Sequence, residues 1–456
     1  MFFYEKNIIK SITVFVLFTV FCSFGSSLTY ANSTKNNLQE LFAKEIDTIH
    51  NNDLMSDEQK ISEILEIYFY SIRDYLTCNN QCNDSIYSIT DQESHSIKAF
   101  INKIKTKKEL FNYKNFKILW DTLIVEFEHI SVDGNQANVE LTETYKYILN
   151  NYENGISSCN TKYEIKLNKI GERWIIANIK SDDENDLIYL TEGFDLEKHI
   201  NELKNEKPII DQENERKYTA VKNIEQKIKY GESDIGIKSM YLYPYDRVDA
   251  LMYIITYDGS ARNPRFYDYS AIGGDCQNFG SQCIWYGLGG VNDASMIDGK
   301  YFPMVDNGKT DPRSWYSTSI KYDTPNTYVW TGVDHFDDYI DDSGYNIQGP
   351  YGTIYSGIAY AERGDLIQIR ANSTSDYHHT YVVYGDDPAK AFMLVNENYH
   401  HTYVVYGVQG TAGSRTKDDI WVSSHTADRS NEKLSDCCSY SLSNMRTIHI
   451  IGTYSY

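Results

Sequence analysis

The chain has 456 residues, with 64 acidic against 43 basic side chains and a formal net charge of −21. Hydrophobic residues make up 41% of the chain and charged residues 23%, which is typical of a globular protein with two or three domains that each bury a core. A protein this acidic lacks the basic surface that phosphate groups require, so we expect neither nucleic acid nor an anionic membrane surface as a partner.

The first residues have the pattern of a secretory signal peptide. Lys6 and Lys10 precede an apolar run over residues 12–24, and Thr29–Ala31 offers a T-x-A cleavage site. The apolar run is too short to span a bilayer, and no later run is long enough. We therefore expect residues 1–31 to be removed and the mature protein to be secreted, without a membrane span.

Seven cysteines follow the predicted signal peptide. An odd number in an exported chain leaves at least one thiol outside an intrachain disulfide. We expect Cys78 and Cys82 to bridge to each other or to Cys159, since exported proteins meet an oxidising environment. A bond between the neighbours Cys437 and Cys438 would be strained, so we expect them to pair elsewhere or to stay reduced.

Residues 32–205 are predicted to form one α+β domain. Ser56–Gln59 has the capping-box pattern of a helix N-terminus, and apolar residues follow at helical spacing up to Tyr75. Asp133–Gly134 predicts a tight hairpin, and Gly171–Glu172 predicts another. The β-rich runs that they join cover residues 117–130, 136–149, 163–170 and 173–179. Helices followed by an antiparallel meander resemble the cystatin-like domains that often precede catalytic domains in exported Gram-positive proteins.

Two charged segments have simpler interpretations than a binding site. Residues 206–240 are rich in Glu, Lys, Asn and Gln, and we expect a partly helical, solvated linker there. The run Asp334–Asp342 could bind calcium, but it lacks the Gly and Glu positions of a helix-loop-helix calcium site, which favours a solvated acidic loop. The remaining residues, 241–456, are predicted to form the second domain.

The clearest chemical signal lies in residues 273–283, which read GGDCQNFGSQC. Two glycines allow a tight turn, and apolar residues at helical spacing predict a helix that ends at Gly289–Gly290. Cys276 then lies in the first turn, where free N–H groups and the helix dipole favour a thiolate and can hold an oxyanion. Cys283, further along the same helix, is predicted to be an ordinary core thiol.

A duplicated segment follows this motif. Residues 377–385, which read YHHTYVVYG, recur without change as residues 399–407. Nine identical residues show that a segment has been duplicated, although one repeat does not make a solenoid. Each copy predicts a strand that begins with a pair of histidines.

A thiolate nucleophile needs a base within hydrogen-bond reach, and either copy could supply it. Because strand side chains alternate, only one histidine of each pair can face the thiol. A short turn leads from the strand at residues 364–369 into His379, which favours His379 as the base. The strand that ends at His425 follows the second copy, which favours His401. A helix-borne Cys, then a strand His, then a polar residue on the next strand is the order of papain-like cysteine hydrolases.

Several stretches of the second domain together resemble the putative amidase domain family of exported Gram-positive proteins, within the papain-like superfamily of cell-wall peptidases and amidases. The most specific is the DCxNFxSQC block in residues 275–283, and the others support it by their order and spacing. These other stretches lie at residues 245–250, 263–264, 364–368, 379–383 and 424–429. The resemblance covers about residues 241–440.

The resemblance implies a papain-like fold with Cys276 as the nucleophile, His379 as the base and His425 as the group that orients the base. Asp428 or Asn431 could orient the imidazole in place of His425, since either can bind its other nitrogen. The duplicated strand departs from the family pattern, which has one histidine strand at that point.

We therefore expect a secreted cysteine amidase or peptidase that cleaves an amide through a thioester, with His379 transferring the proton. The resemblance and the export signal make peptidoglycan the expected substrate. The alternative is a non-catalytic wall- or partner-binding protein in which the duplicated strand has disrupted the papain-like catalytic site. A zinc site could also use the clustered histidines, but the sequence has neither an HExxH motif nor a paired CxxC motif, so we expect no metal or cofactor.

Overall fold

The computed structural model describes most of the chain from Lys35 onward. The described residues are 35–77, 87, 89–150, 156–183, 185–209, 211–229, 241–270, 275–290, 304–305, 307, 311–317, 326–341, 349–370, 379–382, 392–395, 399–425 and 428–455. The predicted signal peptide, Cys78 and Cys82 lie outside them. Among the described helices, none is long and apolar enough to cross a membrane.

The first part of the chain packs helices against a four-stranded antiparallel sheet. Ser56 and Gln59 form the predicted capping box, because each backbone N–H donates to the side-chain oxygen of the other residue. Gly134 and Gly171 adopt positive φ angles in the two predicted hairpins. The elements are α1 (Lys35–His50), α2 (Asp57–Thr77), α3 (His95–Tyr113), β1 (Ile118–Asp133), β2 (Gln136–Leu149), β3 (Ser157–Ile170) and β4 (Arg173–Ser181).

Three helices follow before the second sheet begins. They are α4 (Asp186–Tyr189), α5 (Leu196–Lys204) and α6 (Gln212–Lys229). Helix α6 lies in the predicted linker, yet Val221 packs on Ile451 and the ring of Tyr218 lies 5.0 Å from that of Tyr360. Asn214 Nδ2 also donates to the carbonyl of Ser356 at 2.9 Å. This part of the predicted linker is therefore folded onto the C-terminal residues and is more than a solvated spacer.

The C-terminal part builds a second antiparallel sheet with helices packed on it, which confirms the predicted α+β class. The strands are β5 (Tyr241–Pro244), β6 (Pro350–Ser356), β7 (Leu366–Arg370), β8 (His379–Val382), β9 (Phe392–Val395), β10 (Tyr399–Val408), β11 (Ile420–Ser424), β12 (Arg429–Lys433) and β13 (Met445–Ser455). The helices are α7 (Arg247–Tyr257), α8 (Cys276–Gly287), α9 (Tyr328–Thr331), α10 (Val333–Asp341) and α11 (Leu434–Cys437).

Helix α10 replaces the solvated acidic loop that we expected at Asp334–Asp342. Phe336, Tyr339 and Ile340 recur at helical spacing and are buried in the core around α8. The acidic side chains between them made the segment look solvated, but apolar residues at this spacing form an amphipathic helix. The expectation of a loop was therefore wrong.

The two sheets join into one. The strand order is β1-β2-β3-β12-β11-β10-β7-β13-β5, with β4 beside β3 and β6 beside β13. Ser158 of β3 pairs with Ser430 of β12 where the two parts meet. Tyr147 also donates a hydrogen bond of 2.9 Å to the buried Glu432, so polar contacts reinforce the junction.

The duplicated segment occupies two different places. Strand β10, from the second copy, pairs with β7 on one side and with β11 on the other. Strand β8, from the first copy, pairs with β9 in a separate two-stranded sheet. The short turn that favoured His379 would put the first copy beside β7, so the order of the copies that it implied was wrong.

Candidate functional site

The candidate nucleophile, Cys276, is the first residue of α8 and is buried. The helix begins directly after Asp275, whose carbonyl accepts from the N–H of Phe279. The first N–H groups of a helix have no partner within the helix and carry its positive dipole end. The thiol thus lies where the sequence predicted it, at a helix start that can stabilise negative charge. Cys283 is fully buried in the core, as expected, and burial raises the pKa of its thiol well above the usual range.

Asp275, the residue before the thiol, is 1% exposed and binds groups from several elements. Its Oδ1 accepts from Asn278 Nδ2 at 2.6 Å and from the N–H of Tyr269 at 3.1 Å. Its Oδ2 lies 2.6 Å from Nδ1 of His425. Asp275 therefore ties the start of α8 to Tyr269 and to His425.

His425 lies just after β11, against α8, and both of its ring nitrogens are engaged. Besides the contact with Asp275, Nε2 lies 2.6 Å from the carbonyl oxygen of Tyr257. A carbonyl only accepts, so Nε2 carries a proton and donates it. The ring stacks on Phe279 of α8, with centroids 3.9 Å apart. These contacts place the imidazole beside the start of α8 and leave its nitrogens bound to Asp275 and Tyr257.

Arg262 connects this pair to the residues after β11. Its guanidinium donates to the carbonyl of His425 at 3.1 Å and to the carboxylate of Asp428, and lies 3.6 Å from Asp275. Burial raises the pKa of Asp428 above its usual range, although Arg262 opposes this rise. Asp428, one of the predicted alternatives to His425, therefore bonds a guanidinium. The backbone N–H of Asn431, the other alternative, donates to Ser423 Oγ at 3.1 Å.

A second set of buried polar groups ties α8 to the sheet. Gln277 Oε1 accepts from Thr402 in β10 at 2.8 Å and from Gln368 in β7 at 3.1 Å. Gln368 Oε1 accepts in turn from Nε of Arg446 in β13 at 2.8 Å. Arg446 then pairs with Asp334 of α10 at 3.1 Å. Four elements are thus linked to the residue next to Cys276 through a chain of buried and half-buried polar groups.

His379 is the first residue of β8, and His400 and His401 lie near the start of β10, whereas His378 is outside the described residues. His401 in β10 is 1% exposed, and its ring lies 4.4 Å from that of Tyr403. Thr402, between them, bonds Gln277 of α8, so the side chains of His401 and Thr402 point to opposite faces of β10. The backbone of His379 lies in β8, away from β7. The structure thus brings Asp275 and His425 to the start of α8 and gives the place beside β7 to the second copy.

Another buried network lies on β13. His449 Nδ1 is 3.0 Å from Asp365, and its Nε2 is 3.1 Å from Glu225 of α6. Arg247 donates to Asp365 at 2.7 Å, and it overcomes the effect of burial and holds the pKa of that carboxyl below its usual value. Lys222 pairs with Glu225 at 2.7 Å. His449, Glu225 and Glu362 are close enough to share a cation, but Lys222 and Arg247 already neutralise this cluster.

Sequence reasoning assigned no role to Asp275, Gln277, Arg262 or Gln368. Asp275, Gln277 and Gln368 all lie within the stretches that carry the family resemblance, so their presence in those motifs was an available signal. Three of their contacts join residues that are 91, 125 and 150 positions apart in the chain, which no local pattern discloses.

Comparison with known proteins finds a family match in the C-terminal part of the chain. Residues 244–451, slightly less than half of the sequence, match the family model described as Putative amidase domain. Neither the curated proteins nor the solved structures contain a match to the chain. The matched residues hold every element from α7 to β12 and most of β13, including Cys276, Asp275 and His425. The match indicates that this part of the protein is an amidase-type hydrolase domain.

Proposed function

We propose that the protein is an exported, cysteine-dependent amidase or peptidase, with Cys276 as its nucleophile and peptidoglycan peptides as its substrate class. The observation that carries the proposal is the position of Cys276 at the first residue of a buried helix, directly after an aspartate that binds His425. A thiol at a helix N-terminus is a general route to a reactive thiolate.

The reaction that this position supports is acyl transfer to sulfur. The Cys276 thiolate attacks the amide carbon, and the N–H groups at the start of α8 hold the oxyanion of the tetrahedral intermediate. Proton donation to the leaving amine breaks the C–N bond and gives a thioester. Water then attacks the thioester, which releases the carboxylate product and restores the thiol.

We propose that the base comes from the histidine pair at the start of β10, His400–His401, in place of His379. Support comes from the pairing of β10 with β7, whose Gln368 binds α8 through Gln277, whereas β8 pairs with β9. Thr402, the residue directly after this pair, bonds Gln277 of α8, so the start of β10 lies beside the helix that carries Cys276.

His425 then has a different task from the one the resemblance implies. An imidazole whose two nitrogens bind Asp275 and the carbonyl of Tyr257 has none left for a second imidazole. We propose that His425 is a positioning residue, which fixes Asp275 and thereby the backbone at Cys276.

The substrate class rests on the family resemblance and on the predicted export. The net charge of −21 makes binding to the wall depend on ionic strength, because a wall rich in anionic polymers repels an acidic protein at low ionic strength. We therefore expect binding to the wall to strengthen when salt or a divalent cation is added.

The first experiment tests the nucleophile. The chain from residue 32 onward is treated with iodoacetamide between pH 6 and 7, and the labelled cysteine is identified by peptide mapping. The proposal expects Cys276 to react faster than a model thiol and faster than Cys283 in the same helix, and a Cys276→Ser variant to lose hydrolysis of wall fragments. A Cys276 that reacts no faster than the model thiol would instead support a non-catalytic wall-binding protein with a degenerate site.

The duplication provides a matched test of the base. His379→Ala and His401→Ala make the same change in the same local sequence, and His400→Ala covers the neighbouring position. We expect hydrolysis to fall by about 100-fold or more in one of the two β10 variants and to persist in His379→Ala. Loss of hydrolysis in His379→Ala alone would show that the base is His379, from the first copy.

A further inference from the structure

A cavity of about 100 Å³ lies where the first part of the chain meets the C-terminal part. Helices α2 and α3 and strands β2 and β3 form one side of it, and the residues from Arg429 to Ser439 form the other. It is separate from the start of α8, and none of the residues to which we assigned a role in catalysis lines it.

The walls of this cavity differ in character. An apolar part of the lining consists of Phe69, Ile72, Phe100, Ile104 and Phe111 from α2 and α3. A polar part carries hydroxyl, amide and carboxylate groups, among them Thr161, Asn185, Ser435, Asp436 and Ser439. A molecule that fits must therefore present a hydrocarbon part to one wall and a polar group to the other.

Asp436 is the polar residue that lacks a complete set of partners. It is 8% exposed, and its Oδ1 accepts from Ser435 at 3.2 Å. Its buried Oδ2 has no hydrogen-bond partner among the residues that the structure describes. Burial raises the pKa of this carboxyl to about 7. A buried acceptor without a donor is unfavourable, so the site is incomplete as it stands.

Five cations near Asp436 each contact another group, although Lys103, Lys107 and Arg429 also line the cavity. Lys103 pairs with Asp183 at 3.5 Å, and Lys114 pairs with Asp418 at 2.7 Å. Arg429 binds Glu432 at 2.7 Å. Two further lysines lie over aromatic rings, Lys107 at 5.6 Å from the ring of Tyr147 and Lys433 at 5.1 Å from the ring of Trp421. Glu143, on the same cavity, accepts from Tyr163 at 2.9 Å.

We propose that this cavity binds a primary ammonium group on a short hydrocarbon body, with the carboxylate of Asp436 as its anionic partner. An ammonium supplies both the donor that Oδ2 lacks and the positive charge that stabilises a buried carboxylate. Benzene, with six heavy atoms, fills a protein cavity of about 150 Å³, so about four to six heavy atoms fit here. The site is independent of Cys276 and goes beyond the proposed hydrolysis.

The test is calorimetric titration of the chain from residue 32 onward at pH 8, where Asp436 is ionised. The probes are propylammonium, alanine and propionate. We expect the two ammonium compounds to bind and propionate not to bind. Tighter binding of alanine would identify a free amino acid as the natural ligand, and tighter binding of propylammonium a simple alkylamine. Binding of propionate alone, or of none of the three, would overturn the proposal.

Substitutions test whether the ligand binds in this cavity. Asp436→Asn keeps the shape but removes the charge, and we expect it to weaken ammonium binding at least tenfold. Asp338→Asn makes the same change at an exposed position of α10 and should leave binding unchanged. Ile104→Phe fills the apolar wall while keeping the carboxylate, and it should also abolish binding. Unchanged affinity in a folded Asp436→Asn or Ile104→Phe protein would place the ligand elsewhere and refute the site.

Discussion

Nδ1 of His425 lies 2.6 Å from Oδ2 of Asp275, the residue directly before the candidate nucleophile Cys276. Both side chains are 1% exposed, and they come from positions 150 residues apart in the chain. A buried pair with this geometry is strongly coupled, because removing one partner leaves the other without its hydrogen bond. The start of α8 therefore depends on the end of β11.

This dependence predicts the effect of Asp275→Asn. Asparagine has one side-chain oxygen where aspartate has two, so it cannot keep all the contacts with Asn278, Tyr269 and His425. We expect the free energy of unfolding to fall by about 3 kcal/mol. We also expect kcat to fall by about tenfold or more with little change in KM, because the thiol is displaced and substrate binding is not. Asp268→Asn is the control, since Asp268 also contacts Arg262 but is half exposed. Equal effects of the two substitutions would contradict a special role for Asp275.

The glutamine contacts beneath α8 predict a loss of stability. Gln368→Leu removes the acceptor for Nε of Arg446 and the donor to Oε1 of Gln277 and to the carbonyl of Val333, which we expect to cost about 1–3 kcal/mol. The urea midpoint measures this cost. Gln226→Leu, on the exposed side of α6, is the matched control and should change the midpoint little. A midpoint unchanged in both variants would show that the buried contacts do not stabilise the fold.

The network at β13 predicts a pH dependence. Burial alone would lower the pKa of His449, but the Asp365 carboxylate raises it above 6.5. The stabilisation from charged His449 is therefore complete below pH 6.5 and is lost as the pH rises through the raised value. Urea unfolding of the wild type and His449→Gln from pH 5 to 9 should show their difference shrinking toward high pH.

His199 provides the opposite case as a control. Burial lowers the pKa of its imidazole to about 4, so its contribution to stability is present above pH 6.5 and is lost as the pH falls toward 4. The difference between the wild type and His199→Gln should therefore shrink toward low pH. Parallel pH profiles for the two variants would refute the assignment of opposite shifts.

The junction between the two sheets predicts cooperative unfolding. Tyr147→Phe removes the donor to buried Glu432 without changing the packing, and we expect a loss of about 1–2 kcal/mol. Fluorescence and circular dichroism should still report one shared transition. Tyr113→Phe, at a side chain that is 58% exposed, should have no measurable effect. Two separate transitions in the wild type would show that the junction does not couple the parts.

Local signals predicted the elements that local chemistry determines. The capping box at Ser56, the hairpins at Gly134 and Gly171 and the start of α8 near Cys276 all depend on a few adjacent residues. Helix α6 was harder to interpret, because Val221 and Ile224 are separated by Lys and Asn, and their burial depends on contacts with β13 and its neighbours. Whether charged flanking residues are solvated is decided by tertiary packing.

The duplicated strand was predicted in the wrong order for a reason that chain entropy explains. We gave more weight to the connection from β7, which is shorter for the first copy by the 22-residue offset, than to the connection to β11. The connection to β11 is shorter for the second copy by the same number. Each of the two arrangements has one short and one long connection. Because closure entropy grows with the logarithm of loop length, the two arrangements have about the same entropic cost. Identical side chains then leave no local signal by which the sequence could separate the two copies.

The pairing of Ser158 with Ser430 also has a consequence for self-association. Without β3, strand β12 would be the outer strand of the C-terminal sheet and would present unpaired backbone groups to other molecules. Such an edge is a template for intermolecular strand addition. The first part of the chain covers this edge with its own strand, so separating the two parts would turn an internal junction into an aggregation-prone surface.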